Sequence, residues 1–137
     1  MAAVFSYPLA AWKRVPFDET VPDYRGDWSS ATALMEIRPE PGGDGDPLVS
    51  LGASVNGGQG IKITYDAARS FEYAGVTYVG ASLIQIIVNE TAMEGLVYGS
   101  DPAQPVVLHY DLHLTPSGGK KFVALAGTFT IQPGTTR

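Results

Sequence analysis

The chain of 137 residues predicts an all-β fold, a two-sheet antiparallel β-sandwich with one or two short helical turns. Three observations point there. Val106 to Ile131 carries two runs of strict apolar/polar alternation around Pro116-Ser117-Gly118-Gly119, the pattern of a β-hairpin. Sixteen glycines and ten prolines suit many turns and short strands and suit long helices badly. Turn signals recur roughly every 8–12 residues and divide the chain into roughly seven to nine strands, the spacing of a sandwich.

Taken in order, Val4 to Leu9 and Trp12 to Phe17 are short apolar segments beside prolines, so residues 1–17 suit edge strands or a wrapped arm. Asp18 to Asp27, with Pro22, Asp23 and Gly26, reads as a polar connection. In Ala31 to Arg38, Ala33, Met35 and Ile37 oppose Leu34, Glu36 and Arg38, as in a half-buried strand. The loop Pro39 to Pro47 follows, then a short strand at Leu48 to Leu51 and a glycine-rich turn over Asn56 to Gly60. Ile61, Ile63 and Tyr65 alternate with Lys62 and Thr64 in a further strand.

Periodicity does not decide Asp66 to Ala74 between a helical turn carrying Ala67, Ala68 and Phe71 and a loop with an aromatic anchor. Val76 to Val79 reads as a short strand, and Ser82 to Val88 as an apolar strand at the centre of a sheet. One turn of helix is expected next: Asn89 stands as an N-cap, Thr91 and Glu94 have capping-box spacing, and Gly95 can end the turn. Tyr98 to Pro105 is a loop leading into the hairpin, where Leu108, Tyr110, Leu112 and Leu114 oppose Val107, His109, Asp111 and His113. Residues 132–137 form a tail, frayed or lying on a neighbour. Residues 1–137 read as one domain, large enough to remove roughly two-thirds of its unfolded surface from water.

Composition narrows the chemistry. Cysteine is absent, which excludes disulfide scaffolds, thiolate zinc sites and cysteine nucleophiles. The net charge is −5, and the basic residues are scattered, adjacent only at Lys13-Arg14 and Lys120-Lys121. Nucleic-acid partners are therefore not expected, since phosphate binding needs a concentrated basic patch. No run is long enough to cross a bilayer, so no membrane partner is expected. The first residues lack a basic lead and are broken by Pro8, which argues against a secretion signal.

His109, Asp111 and His113 are the sharpest chemical candidate, since two imidazoles and a carboxylate on one strand face are metal-ligand types. Along a strand the two histidines lie about 13 Å apart at a rise of ~3.3 Å per residue. One metal cannot readily take both, and the three read as the solvated face of an antiparallel strand. Asp44, Asp46 and Glu40 lack the further ligands of a calcium loop. Gly57-Gly58-Gln59-Gly60 lacks the Lys-Ser/Thr of a phosphate loop. With both histidines on one strand and no GxSxG elbow, a catalytic triad is not expected. No catalytic residue and no cofactor is assigned.

Among the aromatics, Trp12, Phe17, Trp28 and Tyr98 are candidates for an interaction surface, whereas Tyr110 falls among core positions and needs a partner for its hydroxyl. Trp12, Trp28 and the loop tyrosines also suggest an alternative, a carbohydrate- or ligand-binding sandwich.

The order of short motifs along most of the chain resembles a family of small phage and prophage proteins encoded among tail genes. The pieces are Trp12-Lys13, Asp23-Tyr24-Arg25-Gly26, Met35-Glu36-Ile37-Arg38, Gly60-Ile61-Lys62-Ile63 and Asn89 to Leu96, followed by Tyr110-Asp111-Leu112-His113-Leu114, Gly118-Gly119 and Ala126 to Pro133. The chain departs from that pattern by a longer Asp66 to Ala81 segment and by Ser100 to Pro105. The resemblance implies an immunoglobulin-like sandwich, similar in pattern to the N-terminal domain of phage baseplate upper proteins. It implies a non-enzymatic virion structural or tail-assembly protein that contacts other tail or baseplate proteins and forms homo-oligomers. Its place would be the virion, and the bacterial host cytoplasm during assembly. On this reading Val4 to Phe17 and the 132–137 tail make the contacts, and removing residues 1–11 is expected to abolish assembly while leaving the domain folded.

Overall fold

The computed structural model describes residues 5–43, 45–96 and 103–134. Strands β1 (Phe5–Ser6), β2 (Leu9–Trp12), β3 (Phe17–Arg25), β4 (Thr32–Arg38), β5 (Val49–Leu51), β6 (Gly60–Tyr73) and β7 (Val76–Val88) come first. A helix α1 (Glu90–Glu94) follows, then β8 (Val106–Thr115) and β9 (Phe122–Gln132). The protein is all-β and sandwich-like, built from two sheets. Sheet A, a curled half-barrel, runs β9-β8-β4-β5, with β1 and β2 both on the far side of β9. Sheet B is β3-β7-β6.

The sandwich is not wholly antiparallel, because β1 and β2 pair with β9 in parallel. After β2 the chain crosses to the facing sheet to become β3. No tight hairpin within sheet A dictates the direction of β2.

Alternation does its expected work at β4, where Ala33, Met35 and Ile37 are buried. It does the same at β8, where Leu108, Tyr110, Leu112 and Leu114 are buried. One apolar cluster joins these side chains to Ile84, Ile86 and Val88 of β7. Ser82 to Val88 is the central part of sheet B, flanked by β3 and β6.

Two segments correct the sequence reading. Asp18 to Asp27 is not a connection, since most of it is strand β3, with Phe17, Val21 and Tyr24 facing the core. A bulge between Val21 and Tyr24, with Asp23 at φ 61, absorbs the proline and turn residues that suggested a loop. Bulges and edge strands are the places where a sheet tolerates proline.

Asp66 to Ala74 is neither helix nor loop. It completes a long hairpin that turns at Ala74-Gly75, both at positive φ (52 and 80), as a two-residue hairpin turn requires. Val76 to Val79 and Ser82 to Val88 are one continuous strand. A second bulge between Asp66 and Ser70 breaks the period that a sequence reader would follow.

The helical turn forms where expected, with Asn89 as its N-cap but without the expected capping box. The Asn89 side chain accepts from Ala92 N at 2.8 Å, so Thr91 lies inside α1 and the Thr91/Glu94 capping box does not form. Gly95 ends the helix in the right-handed region (φ −78).

The terminal segment is part of the sandwich. Leu9, Ala11 and Phe17 are buried at 2%, 4% and 5% exposure. Between β1 and β2 the chain bends at Tyr7-Pro8 over Gly127, whose absent Cβ would lie 2.9 Å from the Tyr7 carbonyl oxygen. That oxygen accepts from the Tyr110 hydroxyl, and Tyr7 N–H donates to Ala126 O at 2.9 Å. Tyr110 is thus a core residue with a bonded hydroxyl. Removing residues 1–11 would strip two core side chains, together with β1 and most of β2, from β9, so that deletion cannot leave the domain intact.

Opposite β1 and β2, the sheets are joined by the chain between β5 and β6. Ile61 N–H donates to Gly52 O at 2.8 Å and Ser54 N–H donates to Ile61 O at 2.9 Å. Gly60 permits this approach at φ 140, where a Cβ would stand 2.7 Å from Gly52 O and Ser54 N. Gly60→Ala is expected to destabilise by at least about 2 kcal/mol through strain and overlap, read as a lowered urea midpoint with unchanged m.

Burial raises the phenol of Tyr24 to about 12 and pushes that of Tyr110 higher still. Unfolded tyrosines ionise near 10, so their neutral burial contributes stability that is complete below pH ~10 and is lost as pH rises through the folded values. Urea midpoints should hold up to about pH 9.5 and fall above it. In ultraviolet titration two of the seven tyrosines should ionise only as the protein unfolds.

Candidate functional site

The outward face of sheet A is built by the residues that alternate with the core. Register places Glu36 opposite Asp111, Arg38 opposite His109 and Leu34 opposite His113. On the other side, His109 faces Thr128 and Asp111 faces Ala126. The loop after β4 rises beside this face and makes a wall of Glu40, Pro41 and Gly42. Floor and wall enclose an open groove of about 420 Å³ whose lining includes Glu36, Arg38, His109, Asp111, His113 and Thr128.

Arg38 builds the wall. Its Nη1 donates to Gly43 O at 3.2 Å and to Gly45 O at 2.5 Å, while Nη2 donates to Glu36 Oε1 at 3.1 Å. A strand-borne guanidinium therefore pins the glycine-rich loop by its own carbonyls. His113 Nε2 stands 3.4 Å from Asp111 Oδ1. The groove carries three carboxylates (Glu36, Glu40, Asp111) against one guanidinium, a formal −2 with both histidines neutral. Such a face favours cationic groups.

His109, Asp111 and His113 share the groove, as their spacing on one strand requires. Among the described residues no three histidine, cysteine or carboxylate side chains are grouped to hold a metal ion. Asp44 of the loop lies outside the described residues.

The aromatic candidates separate. Trp12 is exposed at 60%. Phe17 is a core residue, edge-on to Phe129 at 5.0 Å between ring centroids, and cannot serve as a surface contact in the folded state. Trp28 is half-buried, packed against Phe122 at 5.2 Å, with its indole N–H donating to Arg25 O at 2.8 Å. Its backbone N–H donates to the Ser82 hydroxyl, which in turn donates to Gly26 O at 2.7 Å, so the fully buried Ser82 anchors the β3–β4 loop. Tyr98 lies outside the described residues. Trp12 pairs beside Gln132 and Trp28 packs on Phe122, at opposite ends of β9. At ~3.3 Å per residue they stand roughly 30 Å apart and make no common stacking platform.

Two features escaped sequence reasoning. Glu36 and Arg38 were placed on the polar side of β4, but nothing in the sequence pairs β4 with β8. The hairpin of β6 and β7 also runs past the sandwich: β3 covers β7 only from Ala81 onward, so among the described strands Val76 to Val79 pair with β6 alone. One face of this ribbon carries Phe71, Tyr73, Val76 and Tyr78, with Phe71 and Tyr78 stacked at 5.5 Å and the Arg25 guanidinium 4.3 Å from the Tyr78 centroid. Tyr73, Val76 and Val79 are exposed at 56%, 50% and 70%. Arg69, at the bulge, pairs with Asp23 of β3 and ties the root of the ribbon to the sandwich.

Arg38→Ala is expected to release the loop wall, speeding amide exchange over residues 40–47 by about tenfold or more. The cost in global stability should stay within about 1–2 kcal/mol, as for a half-exposed ionic network. Hydrogen exchange read by mass spectrometry checks both.

Searched against protein-family models and against curated proteins, the chain matches none.

Proposed function

We propose that this chain is a non-enzymatic structural or tail-assembly module of a phage or prophage particle, acting through contacts with other tail or baseplate proteins. The phage assignment rests on the ordered motifs from Trp12-Lys13 to Pro133. The strand order supports the immunoglobulin-like form those motifs imply. A β3-β7-β6 sheet faces β9-β8-β4-β5, the arrangement of B-E-D against G-F-C-C′ in variable-type domains. Apolar packing takes the place of the inter-sheet disulfide of antibody domains, since the chain has no cysteine.

The observation that carries the contact reading is the β6–β7 ribbon. A two-stranded ribbon is marginal in water on its own, and this one presents Tyr73 and Val76 to solvent on one face and Val79 on the other. Exposed apolar side chains gathered on a projecting element mark a surface that another protein covers. The contact surface is thus the ribbon, in place of the Val4 to Phe17 segment that the sequence suggested together with the 132–137 tail, of which residues 135–137 lie outside the described residues.

The triple variant Tyr73→Lys, Val76→Lys, Val79→Lys tests this. It is expected to keep the wild-type circular dichroism and a melting temperature within about 4 °C, because the altered side chains are outside the core. It should fail to enter particles made in a complementation assay. Normal incorporation would overturn the contact reading, and so would absence of the wild-type protein from purified particles.

A further inference from the structure

Sheet A carries opposite charge at two separate places. In the groove on its outward face, Glu36 is the one carboxylate among the described residues that pairs with Arg38, whose Nη1 is taken by loop carbonyls. Glu40 is exposed to solvent, and Asp111, which stands 3.4 Å from His113 Nε2, keeps half of its side chain exposed. At the end of the sheet, the turn closed by Gly119 N–H donating to Pro116 O at 2.9 Å lifts Lys120 and Lys121 into water. Both lysines are exposed, and no described carboxylate forms an ion pair with either.

From this complementarity we infer that the groove of one copy receives the Lys120-Lys121 turn of a second copy, so that copies associate head to tail. The inference rests on the reading that the chain works through protein contacts. The occupant follows from charge and shape. In a chain of net charge −5, adjacent basic residues occur at only two places, and this pair sits on a narrow hairpin end. The groove is open, floored by the small residues Ala126 and Thr128 and rimmed by carboxylates. Lysine can lay its aliphatic stem on such a floor while its ammonium reaches Asp111 or Glu40. The donor turn and the acceptor face are different surfaces. The contact is therefore heterologous, and it generates a ring if the rotation closes or an open filament if it does not.

Sedimentation velocity on the full chain tests the inference. At low salt the average mass should rise with protein concentration, and the rise should fade at high salt as the charges are screened. K120E/K121E, on an exposed turn, should weaken self-association about tenfold or more with unchanged circular dichroism, and E40K/D111K should do the same. Combining all four substitutions reverses both partners and should restore association. A wild-type monomer at low salt would overturn the inference. So would undiminished association of K120E/K121E, or a fourfold variant as weak as its parents. A monomeric protein that still enters particles would remove the head-to-tail contact and leave the protein-contact reading standing. A self-associating protein absent from particles would do the reverse.

Discussion

The inner face of β7 pressed against the inner faces of β4 and β8 is the contact on which everything else depends. Ile84, Ile86 and Val88 meet a layer that includes Met35, Ile37, Leu112 and Leu114, all without measurable exposure. Each such side chain contributes about 1.5–3 kcal/mol when withdrawn from water, so this one layer outweighs the polar contacts at the rim. It also sets direction. With one side of β4 and β8 committed to the core, the alternate residues must face outward, which puts Glu36, Arg38, His109 and Asp111 together on one surface.

Two backbone devices keep those sheets in contact at their margins, and each relies on a missing side chain. At Gly60 the chain between β5 and β6 draws the margin of sheet A onto sheet B by paired hydrogen bonds through Ile61. At Gly127 the bend between β1 and β2 settles onto β9, and Tyr110 satisfies the carbonyl this buries. Residues 5–17, which could have been an arm, are closure for the sandwich. What projects instead is the β6–β7 ribbon, held at its root by Asp23 and Arg69 and uncovered beyond it.

The groove and the ribbon divide the surface chemically. The ribbon offers aromatic and β-branched side chains that gain by leaving water. The groove offers fixed charge on a rigid floor, with Arg38 turning a glycine-rich loop into a wall.

The strands of the core were legible in the sequence wherever alternation ran unbroken, as in Ala31 to Arg38 and Val106 to Thr115, because a pleated strand with one wet face imposes a period of two. The N-cap at Asn89 was legible too, since its short side chain satisfies helix donors locally. Legibility failed at Asp18 to Asp27 and at Asp66 to Ala74, where bulges insert residues and shift the period, so turn-forming types occupy strand positions. The polar character of His109, Asp111 and His113 could be read from their own strand. Their meeting with Glu36 and Arg38 could not, because it depends on β4 lying beside β8, a pairing between distant segments set by which apolar faces fit together. The burial of Phe17 and Trp28 and the exposure of Tyr73 and Val76 were likewise decided by packing. A large apolar residue looks the same in sequence whether the facing sheet reaches it or stops short.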